Sequence, residues 1–425
     1  MKHLFKSSIP GGRYIIICVL ALTGSLIFAS CNSSDGKNGP TLPDFQKRRL
    51  AAVQALNKTP DEQVKLIPIE VRTTAEQRSG VRRIRIRQHQ IISDSDYSFA
   101  GYSLGPGSPE SSLTAIASDL ADEFLTQAAI KNLRIDSLGV SITSRPDSVR
   151  PAKRIVHPHN LLYTIYVKSP ATDEQLEEVR LLAEKYSTAF NVASVKQNVK
   201  GDIDYVQTPK VLSFEPPYQP GLREYLKYKR AAILARETRR SPGANRARPD
   251  STEPVSPVFR AERQTADRLH VEFDPASGAR KVHIRHFNFI HDNLPVLAGA
   301  DLGPSSTEHQ LGALTSCITH ITEIQAATLQ ITLDTLAVSA HAVYDPRAGR
   351  PGFEHLLRQP YEVHYTVHFR SPHSYEELVA LRDAVEAVCP IYNLFISEQT
   401  IEGRIVRDEP DRYRIHPQPH GLYRD

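Results

Sequence analysis

Over 81–86 (VRRIRI) apolar and charged residues alternate, the pattern of a strand with one face buried, and the chain is strand-like from Ile67 onward. A strand hairpin is predicted over 269–289, and further strands near 336–344 and 361–369. A different period follows Gly303-Pro304. Leu311, Leu314, Ile318 and Ile321 recur at three- and four-residue spacing, which is one buried stripe along a helix. Ser305 or Ser306 can cap that helix, with Glu308 in its first turn. Leu378, Leu381, Val385 and Val388 predict a second helix over 374–388, ended by Cys389-Pro390. A short polar helix is expected over 44–57 and a basic one over 218–238. Strands and helices in this mixture place the chain in the α+β class.

The pattern repeats. Ser79-Gly80 matches Ser277-Gly278, Asp94 matches Asp292, Gly101 matches Gly299 and Gly105-Pro106 matches Gly303-Pro304, all at an offset of 198. After a loop four residues longer in the second copy, Ser169-Pro170 matches Ser371-Pro372 and Asn191 matches Asn393 at an offset of 202. Two copies of one unit therefore make up most of the chain. Helix-capping pairs recur as well, Thr172/Gln175 against Ser374/Glu377, and Glu110 stands opposite Glu308. At the cysteines the copies differ: Asp119 stands in the place of Cys317, Ser187 in that of Cys389 and Thr188 in that of Pro390.

Composition adds two constraints. The formal charge is +4, but setting aside Lys2, Lys6 and Arg13 leaves 49 bases against 48 acids, so no global nucleic-acid footprint follows. The start of the chain is a basic segment, an apolar run over 14–29, then Ala29-Ser30-Cys31. This is the plan of a secretory signal ending in a bacterial lipobox, with Cys31 lipidated, although Phe28 stands where Leu is usual. An uncleaved signal anchor is the other reading. The polar spacer over 32–39 would let the body stand off a bacterial cell-envelope membrane, periplasm-facing or at the cell surface. The expected organisation is a signal (1–31), a spacer with lead-in helix (32–65), a cysteine-free unit (66–208), a basic helix and flexible linker (209–264), a unit with two cysteines (265–410) and a polar tail (411–425). Nine bases against two acids over 223–248 read either as a solvated linker or as a patch for anionic lipid headgroups.

With Cys18 and Cys31 in the export segment, only Cys317 and Cys389 remain for the folded protein. Gly303, Pro304, Glu308, Ala313 and Cys317, followed by Cys389, Pro390 and Asn393, resemble the motifs of the OsmC/Ohr family of osmotically induced and organic-hydroperoxide-resistance proteins. The resemblance spans roughly 265–410, with Ser306 in place of the usual second proline and Tyr392 where His or Phe is common. It implies two OsmC-like domains, each an antiparallel sheet on long helices, forming an intramolecular pseudodimer in a monomeric chain. The thiol-free copy would complete the pocket of the other. It also implies a thiol-dependent peroxidase with Cys317 as the attacking thiolate, Cys389 as resolver and Glu308 as the pocket glutamate. An external dithiol of unknown identity would restore the pair. No cofactor and no metal are implied.

Other readings stay open from the residues themselves. Glu308 can be only a cap, and the pair can be a permanent disulfide in a binding or structural lipoprotein whose cleft holds an apolar ligand. The arginine that serves the thiolate is not set by motif: Arg280, Arg285 and, from the first copy, Arg87 are the candidates. His309 and His320 flank the cysteine helix, either as structural residues or as groups that polarise the thiol.

Overall fold

The computed structural model describes residues 39–145, 155–210, 221–240, 269–356 and 359–407. The export segment, Cys31 and most of the expected linker and tail lie outside these residues. Among the described residues no helix is long and apolar enough to cross a membrane.

The first half runs α1 (Leu42–Asn57), β1 (Ile67–Ala75), β2 (Arg82–Ile86), β3 (His89–Ser93), α2 (Ser108–Ile130), β4 (Ser137–Ser144), β5 (Leu161–Lys168), α3 (Asp173–Tyr186), α4 (Thr188–Ser194) and β6 (Val199–Gln207). The second runs α5 (Leu222–Arg240), β7 (Leu269–Phe273), β8 (Arg280–Ile284), β9 (Phe287–His291), α6 (Ser306–Leu329), β10 (Thr335–Tyr344), β11 (Tyr361–Ser371), α7 (Tyr375–Val388), α8 (Pro390–Phe395) and β12 (Glu402–Arg407). Along β2 alternate residues are buried and exposed, as the VRRIRI alternation requires.

Neither half keeps its strands to itself. One six-stranded sheet has the order β3-β2-β1-β10-β11-β6 and the other β12-β5-β4-β7-β8-β9. The seams are antiparallel, with Val71 opposite Ala340 between β1 and β10 and Val140 opposite Val271 between β4 and β7. Expectation and structure differ at the sheet edges. β6 joins β11 and β12 joins β5 in parallel, so both sheets are mixed rather than antiparallel. Two helices carry the backbone from a strand of one sheet to the edge of the other, from β5 to β6 and from β11 to β12, so no tight hairpin forces the new edge strand antiparallel to its neighbour.

The long helices α2 and α6 pack on each other between the sheets. Their contact is polar and reciprocal: Ser108 Oγ lies 3.1 Å from Ser316 Oγ, and Ser306 Oγ lies 3.0 Å from Ser118 Oγ. Each helix rests on the sheet that holds the other half's hairpin or its own strands, α6 against β1, β2 and β10, and α2 against β4, β7 and β8. Gly312 allows the α6 approach, because a Cβ there would sit 2.8 Å from Ile84 Cγ2 on β2. That close contact brings β2 of the first half beneath the cysteine helix of the second. A capping box starts α6: Glu308 N–H donates to Ser305 Oγ at 3.2 Å, and Ser305 N–H donates to the Glu308 carboxylate at 2.7 Å.

The basic helix α5 is part of the fold, not only of a linker. Leu222, Tyr225, Leu226, Lys229 and Ile233 are buried against α6 and its surroundings. Its counterpart is α1, buried through Leu42, Phe45, Arg49 and Val53. The four pairs Leu42/Leu222, Phe45/Tyr225, Arg49/Lys229 and Val53/Ile233 lie 180 residues apart, a correspondence present in the sequence at an offset that the 198-residue match does not reach.

Candidate functional site: a buried thiol pair between the halves

Cys317 lies on α6, about three turns from its start, and Cys389 is the residue between α7 and α8. Asn393 holds that junction, donating to the carbonyls of Glu386 and Cys389. Both cysteines are free and buried. Their thiols hydrogen-bond each other, and the two respond in opposite ways. Burial works against ionising Cys317, but the Cys389 thiol, the Ile391 backbone N–H and the Arg82 charge together outweigh it and make Cys317 more acidic than an ordinary thiol. Cys389 is pushed well above its usual value by burial, and further by the bond to and charge of Cys317. Cys317 is therefore the more readily ionised of the two sulfurs.

Arg82, on β2, is buried beneath this pair and donates to Gly80 O at 2.7 Å, Ser316 Oγ at 3.1 Å and Ser93 Oγ at 3.1 Å. Arginine keeps its proton when buried, so its charge persists. The candidate arginines named from sequence have other places. Arg280 faces the opposite centre, bonded to Asp122 at 2.8 Å. Arg87 holds Glu308 through two bonds, Nε to Oε1 at 2.6 Å and Nη2 to Oε2 at 2.9 Å. Arg285 does reach the Cys317 cavity, where its Nη2 bonds Glu110 Oε2 at 2.9 Å. The signal for Arg82 was available, since at the offset of 198 it is the counterpart of Arg280.

The cavity over Cys317 encloses about 550 Å³. Its walls are apolar and come from both halves, with Phe99, Leu113 and Ile142 facing Leu269, Ile284 and Ile321. Cys317, Arg82, His320 and Pro390 line it, as do Glu110 and Arg285. Glu308 does not. Of the two corresponding glutamates it is Glu110, at the start of α2, that lines this cavity, with Asp94 and Asp96, while Glu308 is occupied by Arg87 and by its own helix start. His309 is also elsewhere, bonded to His291 at 2.7 Å in the interior. Among the described residues no group of three or more His, Cys, Asp or Glu side chains is placed to hold a metal ion.

Residues 299–403 match the family model of the OsmC-like proteins. That OsmC-like segment contains Cys317, Cys389 and Asn393, and none of the first half. Among solved structures, this chain is similar to an OsmC like protein from Mycoplasma pneumoniae at 16% identity, with 31% of this chain and 87% of that chain covered and a TM-score of 0.24. No curated protein matches the chain.

Outside the OsmC-like segment, the first-half residues at the offset positions carry other chemistry. Ser187 Oγ donates to Asp119 Oδ2 at 2.7 Å, and the Ala189 N–H donates to the same oxygen at 2.9 Å. The Ala189 amide corresponds, at an offset of 202, to the Ile391 amide at Cys317. At the residue offset from Cys317, a carboxyl oxygen is thus satisfied by a hydroxyl and a backbone amide.

Beside the thiol pair, Lys229 of α5 and Glu323 of α6 form an ion pair at 2.9 Å with both side chains 0% exposed. Lys229→Met would leave the Glu323 carboxylate buried without its cation. The expected cost is about 3–5 kcal/mol, read as a fall in denaturation midpoint, and Lys229→Met/Glu323→Met should recover most of it. A single variant costing less than about 1 kcal/mol would mean that the pair is not what secures α5.

Proposed function

We propose that this chain is a thiol-dependent peroxidase that reduces organic hydroperoxides, lipid hydroperoxides included, with Cys317 as nucleophile and Cys389 as resolver. The observation that carries the reading is Cys317, acidified by its surroundings, lining an apolar cavity with the oppositely shifted Cys389 thiol buried beside it. The OsmC-like segment supports it, since the family is one of peroxide-reducing proteins. The chain is taken to be two copies of one unit, working as an intramolecular pseudodimer in which the first copy lends Arg82 and Glu110 to the second. It is also taken to be exported and lipid-anchored through Cys31 at a bacterial envelope membrane.

The reaction follows from the residues. The Cys317 thiolate attacks the distal oxygen of the hydroperoxide; a sulfur–oxygen bond forms, the oxygen–oxygen bond breaks, and the alkoxide leaves to be protonated as the alcohol. Arg82 holds the thiolate beforehand, and the apolar walls take the organic group. The Cys389 thiol then attacks the sulfenic acid, giving the disulfide and water. An external dithiol returns both sulfurs to thiols.

Titration of free thiols tests the reading. One equivalent of an alkyl hydroperoxide should remove two thiols from the reduced protein, both recovered by dithiol. Thiols that titrate but are unchanged after exposure rule out this enzyme, and thiols that cannot be titrated even after denaturation without reductant mark a stapled binding protein.

A further inference from the structure

At residue 320 the two centres part chemically. At the offset of 198, Arg82 answers to Arg280, Ser316 to Ser118, Cys317 to Asp119 and His320 to Asp122. Arg280 donates to the Asp122 carboxylate at 2.8 Å, and Arg49 bonds both oxygens of the same carboxylate at 2.9 Å. The charge of Arg280 is therefore met by an acid. Arg82 has no carboxylate among its hydrogen-bond acceptors: besides Ser316, Ser93 and Gly80 it donates to His320 Nδ1, at 3.2 Å.

Lys229 Nζ approaches the same nitrogen, at 3.4 Å. Two cations can share Nδ1 only where it presents a lone pair, so the imidazole is neutral and carries its proton on Nε2. Burial, and then the charges of Lys229, Arg82 and Arg236, hold its basicity well below the usual value, in keeping with that state. Other charged and titratable groups face the cluster. Glu323 pairs with Lys229 at 2.9 Å, stands 3.8 Å from His320 Nδ1 and is the leading acidic charge felt by Arg82 without hydrogen-bonding it; Tyr225 bonds Lys229 at 3.2 Å, and Cys389 neighbours Cys317. Asp94 also faces Arg82, with its oxygens accepting the backbone N–H groups of Ser95, Tyr102 and Leu104.

We propose that His320 is a positioning residue: a neutral acceptor, steadied by Lys229, that orients Arg82 without neutralising it and so leaves the guanidinium charge for the Cys317 thiolate. The inference rests on Cys317 being the nucleophile. An acid at position 320 would do to Arg82 what Asp122 does to Arg280.

The test compares His320→Asp with His320→Asn in the full chain, following iodoacetamide alkylation of Cys317 against pH by the mass of its peptide. The Asp variant should move the rise in rate upward by about one pH unit or more, which slows alkylation roughly tenfold near neutrality. The Asn variant, whose Oδ1 can stand where Nδ1 stood, should stay within about threefold of the unmodified chain. An Asp variant with the original profile overturns the proposal, and so does an Asn variant that shifts as far as Asp. If the Asp variant does not fold, His320→Leu takes its place: with no acceptor to hold Arg82, its profile should also move upward, and a Leu profile that stays with that of Asn overturns the proposal. A purely structural role would lower the melting temperature of both and move neither profile. Alkylation reports the thiolate and not peroxide turnover. A chain without peroxidase activity that still shows the shift would sink the proposed function and leave this inference standing, and an active chain with an unmoved profile would do the reverse.

Discussion

Cys317→Ser should abolish hydroperoxide reduction, with turnover falling on the order of a thousandfold or more, because a serine hydroxyl near neutral pH offers no anion to attack the peroxide oxygen. Cys389→Ser should behave differently. Its Cys317 still attacks once, but the sulfenic acid has no neighbouring thiol to condense with and accumulates. Dimedone should then add once, at Cys317, after one equivalent of hydroperoxide, and multiple turnover should slow. Cys389→Ser is expected to stay folded, because Ser187, its counterpart at the offset of 202, is hydrogen-bonded at 2.7 Å, and Cys317→Ser changes only one atom of the side chain. Dimedone appearing on Cys389, or a Cys317→Ser protein that still consumes hydroperoxide, would reverse the two roles or remove them.

Arg82→Met should shift the reactivity of Cys317 toward alkaline pH by about one unit. The sign follows from the forces on the thiol. Burial opposes its ionisation, and the Cys389 thiol, the Ile391 amide and the Arg82 charge oppose burial. Removing the charge leaves burial less opposed, so the pKa rises and the thiolate fraction below it falls tenfold per unit. Hydroperoxide reduction, which needs the thiolate, should therefore be lost near neutral pH and return as pH rises. Methionine also leaves the partners of Arg82 without a donor, which lowers stability by about 1–3 kcal/mol for each group orphaned in the interior. Arg82→Lys separates the two effects, since it keeps the charge and loses the planar fork; its pH profile should lie nearer that of the unmodified chain. A folded Arg82→Met protein with an unmoved profile would show that the hydrogen bonds alone acidify Cys317.

Much of the local structure was legible in the order of residues. Alternation over 81–86, the apolar stripe from Leu311 to Ile321 and the Ser305/Glu308 cap depend on neighbours within a few positions, and β2 and α6 form where those signals lie. β6 and β12 were not legible. Both sit at sheet edges with their side chains half-exposed or exposed, so no buried face marks them as strands.

The two thiols could be named from sequence because their motifs are short, and the constant offsets identify Asp119 and Ser187 as what stands opposite them. Which charges surround them could not. Arg82 and Arg280, Glu110 and Glu308, and Arg87 and Arg285 are paired alike by the offset, and nothing along the chain says which member of each pair faces a cysteine. That choice is made when β1 pairs with β10 and β4 with β7, since exchanging the hairpins carries Arg82 under Cys317 and takes Arg280 to Asp122. Residue order singled out the two thiols; the exchange of strands between halves decided their electrostatics, because Coulomb forces depend on separation in space and not along the backbone.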